Sequence, residues 1–307
     1  MIETRQLTKR YRSKVAVREL SFQVLPGRVT GFLGPNGAGK SSTMRMILGL
    51  DRPTSGAALV NGTSYRKLRH PLREVGALLD ANAVHGGRSA REQLCGVALT
   101  NDIPRRRVAE VLELTGLTTA ARRRVGGFSL GMKQRLGIAT ALLGDPPIML
   151  LDEPVNGLDP DGIHWIRQLM RGFAAEGRTV LVSSHLMSEM ALTADHLIIV
   201  GRGALLADTS MAEFVAGGSN GDVLVRSPQA RELGSALAAQ GATVRVEADG
   251  ALAVRGLDPA EIGQLAAQAG LAVHELTSRH ASLEQAYLEI TQDSVEYRAQ
   301  SAGKEVR

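Results

Sequence analysis

The chain has 307 residues, of which 44% are hydrophobic, 22% are charged and 3% are aromatic, with a formal net charge of +5 at pH 7. These values are typical of a globular protein and exclude wholesale disorder. The single cysteine, Cys95, excludes an internal disulfide, and the charged N-terminal segment lacks the apolar stretch of a secretion signal. No apolar run is long enough to span a membrane. We therefore expect a soluble protein of the reducing cytoplasm.

The basic residues offer little support for a nucleic-acid partner. Most of them are arginines, with short runs at Arg105–Arg107 and Arg122–Arg124 that flank a helical pattern. Solvated helix faces commonly carry such runs, and the few aromatic residues cannot form a platform for stacking on bases. No nucleic-acid partner is expected.

The first two thirds of the chain alternate between strand and helix patterns. Short β-rich segments are predicted at Ile2–Leu7, Ser21–Leu25 and Arg28–Leu33, and a helix then runs to about Leu50. A helical, arginine-rich stretch lies between about residues 80 and 126. Further strands, separated by helices, are predicted at Ile148–Leu151, Thr179–Ser183 and His196–Val200. This alternation predicts an α/β fold whose largely parallel sheet is covered on its faces.

A glycine-rich segment at residues 217–221 predicts a linker to a second domain. The pattern that follows has the order βαββαβ, which is typical of a ferredoxin-like α+β unit. Its predicted elements are Asp222–Arg226, Pro228–Gln240, Thr243–Ala248, Ala251–Arg255, Asp258–Ala269 and Leu271–Leu276, followed by a last helix at Ser282–Thr291. We expect one domain over residues 1–216, a small accessory domain over residues 222–291 and a polar tail over residues 292–307.

A phosphate-binding loop is predicted directly after the third strand. The segment from Gly34 to Ser41 fits the Walker A pattern Gly-x-x-x-x-Gly-Lys-Ser and opens a helix, which is the context that this motif requires. Glycines let backbone N–H groups approach phosphate oxygens, the lysine adds a positive charge, and the serine hydroxyl is a hard ligand for Mg²⁺. The expected ATP-binding residues are Gly34, Pro35, Asn36, Gly37, Ala38, Gly39, Lys40, Ser41 and Ser42.

Two carboxylates end the apolar strand Ile148–Leu151. Ligands of parallel sheets lie at the carboxyl ends of the strands, so Asp152 and Glu153 are expected beside the phosphate loop. Asp152 is a candidate ligand for Mg²⁺, and Glu153 is a candidate base for the water that attacks the γ-phosphate.

Between these motifs, Phe128-Ser129-Leu130-Gly131-Met132 opens a helix. Ser129 is expected to be its N-cap, next to N–H groups that favour an anion. With this segment the chain resembles, over roughly residues 1–216, the ATP-binding subunit of an ABC transporter, in which Leu-Ser-Gly-Gly-Gln stands at this place. The resemblance implies a P-loop fold with a helical subdomain, here at about residues 80–130, which receives a membrane subunit.

The same resemblance implies roles for further residues. Two copies would meet head to tail, so that the signature residues of one copy contact the nucleotide of the other. Asp159 stands in the family's D-loop, His185 stands where a histidine holds the γ-phosphate and the attacking water, and Tyr11 resembles the aromatic residue that stacks on adenine. For Tyr11 an ordinary surface tyrosine remains an alternative. The signature residues are Ser129, Leu130, Gly131 and Met132.

Three positions depart from the common family pattern. Asp80 follows the strand at about Val75–Leu79, where family members usually carry a glutamine. An ionised aspartate only accepts hydrogen bonds and would add negative charge near the triphosphate, and an alignment shift of one residue is an alternative. Leu130 and Met132 resemble the Ser-Leu-Gly-Met form of antibiotic exporters of the bacitracin and daunorubicin type.

Together these features predict an ATP hydrolase, with ATP and Mg²⁺ as cofactors, that powers the export of antibiotic-like or amphipathic compounds. Its expected partners are a second nucleotide-binding domain and a separate transmembrane permease, which would hold it at the cytoplasmic face of the membrane. The alternative is a soluble ABC-type ATPase that acts on the ribosome or on nucleic acid. A metabolic P-loop kinase is disfavoured, because it would lack the signature and the histidine.

Overall fold

A computed structural model describes residues 1–218, 222–278 and 283–291. The predicted tail at residues 292–307 and part of the predicted linker therefore lie outside the described residues. The chain forms two compact units. The first comprises Met1–Met211 and, near the other end of the chain, Ile290 and Thr291, and the second comprises Ala212–Glu289.

The strands of the first unit form two sheets. These strands are β1 (Ile2–Tyr11), β2 (Lys14–Val24), β3 (Val29–Leu33), β4 (Ser55–Val60), β5 (Val75–Leu78), β6 (Ile148–Leu151), β7 (Thr179–Ser184), β8 (His196–Gly201) and β9 (Ala204–Ser210). An antiparallel sheet has the order β2-β1-β4, and a six-stranded sheet has the order β5-β6-β7-β3-β8-β9. In the larger sheet β3, β5, β6, β7 and β8 are parallel, with β3 between β7 and β8, and only β9 runs antiparallel.

Helices surround and extend this core. They are α1 (Lys40–Ile47), α2 (Pro71–Glu74), α3 (Ala90–Thr100), α4 (Arg105–Leu114), α5 (Leu130–Leu142), α6 (Pro160–Ala175), α7 (Met187–Ala191) and α8 (Met211–Gly218). Between β5 and β6, α3 and α4 lie in the stretch predicted to be helical, and α5 is the helix predicted after the signature segment. Strands β3, β6 and β7 are buried along their whole length, because both faces of a parallel sheet are covered. Phe32, Leu150, Leu181 and Ile198 contribute to the core beneath the phosphate loop.

The structure corrects several predicted boundaries. Strands β4 and β9 were not predicted, because their many small and polar residues give a weak strand pattern and pairing with β1 and β8 stabilises them. The helix after the phosphate loop ends at Ile47 rather than near Leu50. Helix α8 extends through Gly218, into the segment predicted to be a linker.

The second unit contains the predicted order βαββαβ. Its elements are β10 (Val223–Arg226), α9 (Ala230–Ala239), β11 (Thr243–Val246), β12 (Leu252–Arg255), α10 (Pro259–Gln268) and β13 (Glu275–Ser278), followed by α11 (Leu283–Thr291). The sheet order β11-β12-β10-β13 is antiparallel throughout and confirms the ferredoxin-like α+β fold. Strand β13 begins four residues later than predicted, because its ladder with β10 starts at the pair Arg226 and Glu275.

The structure describes helices within residues 1–218, 222–278 and 283–291. Within these ranges none of them combines the length and the apolar character that a membrane-spanning segment requires.

Candidate functional site

The carboxyl ends of three neighbouring strands, β6, β7 and β3, carry the residues of the candidate site, and β5 lies beside them. Strand β3 leads into the phosphate loop, β6 leads into Asp152 and Glu153, β7 leads into His185, and β5 leads towards Asp80. The register aligns these ends, since Leu33 pairs with Ser184 and Leu151 pairs with Val182. The parallel sheet thus brings together motifs that lie more than a hundred residues apart in the sequence.

The backbone of the phosphate loop requires glycine at two positions. Gly37 and Gly39 have φ values of 83° and 99°, a region that L side chains rarely adopt. A Cβ atom on Gly39 would also collide with the carbonyl oxygen of Ala16. Gly39 is the N-cap of α1, and no side chain caps this helix. The first N–H groups of α1 are therefore oriented towards the loop, as binding of an anion requires.

Lys40 lies inside the loop rather than in solvent. Its side chain is 7% exposed, and Nζ donates to the carbonyl oxygens of Gly34 and Pro35 at 2.5 and 3.3 Å. Glu153 Oε1 lies 3.8 Å from Nζ. Burial lowers the pKa of Lys40, while the charges of Glu153 and Asp152 act in the opposite direction. The ammonium group is thus held inside the loop by the carbonyl oxygens of Gly34 and Pro35.

A pocket of about 400 Å³ lies over the loop. It is lined by residues 35–42 together with Tyr11, Lys14, Ala16 and Glu153. The Tyr11 hydroxyl donates to Asp51 Oδ2 at 2.9 Å, and Lys9 Nζ lies 4.9 Å from the centre of the ring. Partial burial raises the pKa of Tyr11. The position of Tyr11 at the rim of this pocket is compatible with stacking on a nucleotide base.

Ser183 organises the pair of carboxylates after β6. Its buried hydroxyl donates to Asp152 Oδ1 and accepts from the backbone N–H of Glu153, the latter at 2.9 Å. Glu153 has a φ of 48°, which is unusual for a residue with a side chain. This turn directs the Glu153 side chain towards the phosphate loop.

Glu153 also contacts the predicted histidine. Oε2 of Glu153 lies 2.9 Å from His185 Nδ1, so Lys40 and His185 approach the two oxygens of one carboxylate. The turn after β7 is itself held by Ser184, whose hydroxyl donates to Glu189 Oε2 at 2.6 Å and accepts from the Leu186 N–H at 3.0 Å. The structure therefore brings Lys40, Glu153 and His185 together.

The signature segment, residues 129–132, does not line the pocket over the phosphate loop of its own chain. Ser129 is the N-cap of α5, as predicted, and its hydroxyl accepts from the Met132 N–H at 3.2 Å. Leu130 packs against Gly157, and Asp159 is the N-cap of α6, where it accepts from the Gly162 N–H. None of the four signature residues lines the pocket over the phosphate loop.

Asp80 also lies apart from that pocket. Its carboxylate accepts from the Asn82 N–H at 2.8 Å. It lines a second pocket of about 460 Å³, whose wall is mostly apolar. That wall includes Leu48, Leu50, Tyr65, Leu72, Leu79 and Val84.

Two buried polar residues of the site were not predicted from the sequence. Ser183 contacts Asp152 and Glu153, and the amide of Gln134 on α5 donates to the Glu153 carbonyl oxygen at 3.2 Å. A serine at the end of a buried strand next to β6 is a recognisable signal. Gln134 carries no such signal, because it lies inside a helix and contacts Glu153 only in the folded chain.

A glycine loop, a buried lysine and a carboxylate pair at the edge of a parallel sheet define a P-loop nucleotide-binding protein. The family model described as "ABC transporter" matches residues 17–156. The chain is 44% identical over 211 residues to "Bacitracin transport ATP-binding protein BcrA" of Bacillus licheniformis, covering 68% of this chain and 69% of that protein. It is 37% identical to "Nod factor export ATP-binding protein I" of Burkholderia pseudomallei (strain 1710b), covering 67% and 70%. The chain thus belongs to the family of ABC transporter ATP-binding proteins.

The comparison with solved structures agrees with this assignment. The chain is similar to "Structure of ATP binding subunit of ABC transporter", with a TM-score of 0.64, 27% identity, and coverage of 71% of this chain and 92% of that one. A second family model, described as a domain of unknown function, matches residues 221–284.

The family assignment confirms three predictions. The protein is an ABC-type ATP hydrolase that powers a transporter, and its similarity to the antibiotic-export branch is confirmed. These relatives favour a transporter ATPase over the alternative of a soluble ATPase that acts on the ribosome or on nucleic acid.

Proposed function

We propose that two copies of this protein close around Mg-ATP and drive a separate permease that exports antibiotic-like or amphipathic compounds. The convergence of Lys40, Glu153 and His185 beside the phosphate-loop pocket is the observation that carries the ATPase part of this proposal. The substrate class is supported by the relatives named for bacitracin transport and for Nod factor export.

In the proposed site, residues 34–42 hold the triphosphate and Lys40 contacts its β- and γ-phosphates. Ser41 and Asp152 offer hydroxyl and carboxylate oxygens, which fit Mg²⁺, and two such ligands leave room for phosphate oxygens and water. The ion would neutralise part of the triphosphate charge. Glu153 accepts the proton of the attacking water, and His185, which is held by Glu153 at Nδ1, would contact the γ-phosphate.

A second copy completes this site. The signature residues are separate from the pocket of their own chain, and the N-cap Ser129 is exposed. Its hydroxyl already accepts from Met132, so its proton is available for a phosphate oxygen. ATP then stabilises the dimer because one triphosphate is contacted by both copies, and hydrolysis removes that additional affinity. Asp159 lies at the same contact between the copies.

The apolar pocket beside Asp80 is the proposed docking surface for the permease. It lies between α1, β5 and the helical region, and Leu50 on its wall is exposed. An amphipathic helix of the membrane subunit would bury its apolar face there. The protein would thereby be held at the cytoplasmic face of the membrane.

Affinity capture tests this proposal. Tagged Glu153→Gln protein would be expressed in the native host and purified from detergent-solubilised membranes with ATP and Mg²⁺. We expect a stoichiometric membrane protein with several spanning helices, which transport assays could then characterise. Capture of ribosomes or nucleic acid without such a protein would contradict the transport function and leave the ATPase chemistry standing.

A charged substitution of Leu50 tests the proposed docking surface. Leu50→Glu places a charge in the apolar pocket and is expected to reduce recovery of the membrane subunit by about tenfold, because that charge must lose its water when the permease binds. Val246→Glu, at an exposed position on β11 of the second unit, is the matched control. ATP binding and thermal unfolding of the same samples test the fold. Equal recovery of the membrane subunit with both variants would exclude this pocket as the docking surface for the permease.

Tyr11 is expected to contribute to nucleotide affinity through its ring. Tyr11→Ala should weaken ATP binding by about tenfold, since stacking on a base contributes about 1–3 kcal/mol. Tyr11→Phe keeps the ring, removes the hydroxyl with its contacts to Asp51 and Ser42, and should bind ATP nearly as well as the wild type. Titration calorimetry would measure both variants. Equal losses of ATP affinity in the two variants would assign the effect to the hydroxyl and its contacts, and would contradict stacking of the ring on the base.

A further inference from the structure

The backbone of Glu153 is strained and is held in place by buried side chains. A φ of 48° lies in the left-handed region, which costs a residue with a Cβ atom about 1 kcal/mol or more. The surrounding structure must compensate for this cost. Ser183 accepts from the N–H group of Glu153 at 2.9 Å, and Gln134 Nε2 donates to its carbonyl oxygen at 3.2 Å.

Gln134 is well placed to control this conformation. It is 4% exposed, so its amide hydrogen bond has little competition from water. The amide belongs to α5, whereas Ser183 belongs to the central sheet. The peptide units on either side of Glu153 are therefore fixed by different parts of the first unit. A movement of α5 along its axis would act directly on the carbonyl side.

The first turn of α5 contacts the same segment at a second point. The Leu130 side chain occupies the space in which a Cβ atom on Gly157 would lie, and Gly157 has a φ of 76°. A Cβ atom on Gly131 would lie 2.9 Å from the Gly157 carbonyl oxygen, so the two backbones are in close contact. About half of Leu130 remains exposed, at 48%.

We infer that α5 positions the carboxylate of Glu153 through two residues, Gln134 and Leu130. Because α5 begins at Ser129, the nucleotide of a second copy would contact the same rigid helix that holds Glu153. Closure of the dimer then sets the geometry of the glutamate that activates water. This inference rests on the proposed roles of Glu153 and of the signature segment. Gln134 and Leu130 are positioning residues, and neither contacts the nucleotide of its own chain.

Gln134→Met is the principal test, because methionine is similar in length and lacks the N–H donor. We expect kcat for ATP hydrolysis to fall by about tenfold while KM and the Kd for ATP change by less than about twofold. Gln168→Met, at an exposed glutamine on α6, is the matched control and should retain the wild-type rate. If Gln134 only stabilises the fold, Gln134→Met should lower the ATP affinity and the midpoint temperature of unfolding together with kcat. That result would overturn the inference.

A double variant shows whether Gln134 affects ATP hydrolysis through Glu153 or independently of it. If Gln134 acts only through the Glu153 carboxylate, Glu153→Gln with Gln134→Met should hydrolyse ATP at the residual rate of Glu153→Gln alone. A further loss of about tenfold in the double variant would contradict the inference. Wild-type rates in Glu153→Gln would overturn both the proposed base and this inference. If Glu153→Gln is inactive but Gln134→Met keeps the wild-type kcat, the role of Gln134 would be overturned while Glu153 would remain the proposed base.

Leu130 provides a test that does not depend on the folding of a buried variant. Leu130→Ala removes the contact with Gly157 at a half-exposed position and should lower kcat by about threefold, while the Kd for ATP of the monomeric protein stays unchanged. Leu114→Ala, a similarly exposed leucine on α4, is the control. Equal kcat values for Leu130→Ala and Leu114→Ala would contradict the proposed role of the first turn of α5.

Discussion

Glu153→Gln is expected to bind ATP, to accumulate as a dimer and to hydrolyse ATP about a thousandfold more slowly than the wild type. The amide is similar in size to the carboxylate but cannot take a proton from water. It also removes the negative charge that approaches Lys40 at 3.8 Å and His185 at 2.9 Å. The phosphate loop does not depend on that charge, so ATP binding should persist. Phosphate release would measure hydrolysis, and size-exclusion chromatography with ATP would measure the dimer.

The control for this variant is Glu176→Gln, which changes an exposed glutamate at the end of α6. Its rate and its monomer–dimer distribution should match those of the wild type. Hydrolysis by Glu153→Gln at more than about a tenth of the wild-type rate would remove Glu153 from the role of general base, because such a base contributes at least about a hundredfold. A dimer that forms equally well with ADP would contradict the proposed dependence on the γ-phosphate.

Lys40→Ala is expected to weaken ATP binding by about a hundredfold. The ammonium group is buried and preorganised by the carbonyl oxygens of Gly34 and Pro35, so phosphate oxygens gain a charged partner without reordering a flexible side chain. A hydrogen bond to a charged group contributes about 1.5–3 kcal/mol, which corresponds to a factor of about ten to a hundred and fifty in affinity. Titration calorimetry with Mg-ATP would measure the loss.

Lys67→Ala is a suitable comparison, since this exposed lysine lies after β4 and outside the phosphate-loop pocket. It removes the same charge from the protein without changing the loop. Thermal unfolding without nucleotide would test whether Lys40→Ala still folds. A folded Lys40→Ala protein that binds ATP as tightly as Lys67→Ala would contradict the assignment of the phosphate loop.

Local residue chemistry was sufficient to predict much of this protein. The phosphate loop, the carboxylate pair after β6 and the N-cap Ser129 are each encoded by a few consecutive residues, whose preferences for turn, strand end and helix start act over short distances. The order βαββαβ of the second unit was likewise predictable from alternation of apolar patterns. Its sheet order then followed the usual ferredoxin-like topology.

Other features depend on residues that meet only when the chain folds. Strands β4 and β9 have weak patterns of their own and are stabilised by their partners β1 and β8. The pocket that contains Asp80 is formed by α1, β5, α3 and α5, which are far apart in the sequence. The position of the Asp80 carboxylate relative to the phosphate loop could therefore not be inferred from its place after β5.

Within the site, consecutive residues encode the reactive groups, whereas the groups that position them meet only when the chain folds. Lys40, Asp152 and Glu153 follow strand ends, where side chains of a parallel sheet converge, and a linear pattern is enough to predict them. His185 was predicted only from the resemblance to the family. The hydrogen bond from Gln134 to Glu153 and the packing of Leu130 on Gly157 join residues 19 and 27 positions apart. Such contacts arise from the packing of α5 against the loop after β6, because burial and geometry select these partners and no local preference encodes them.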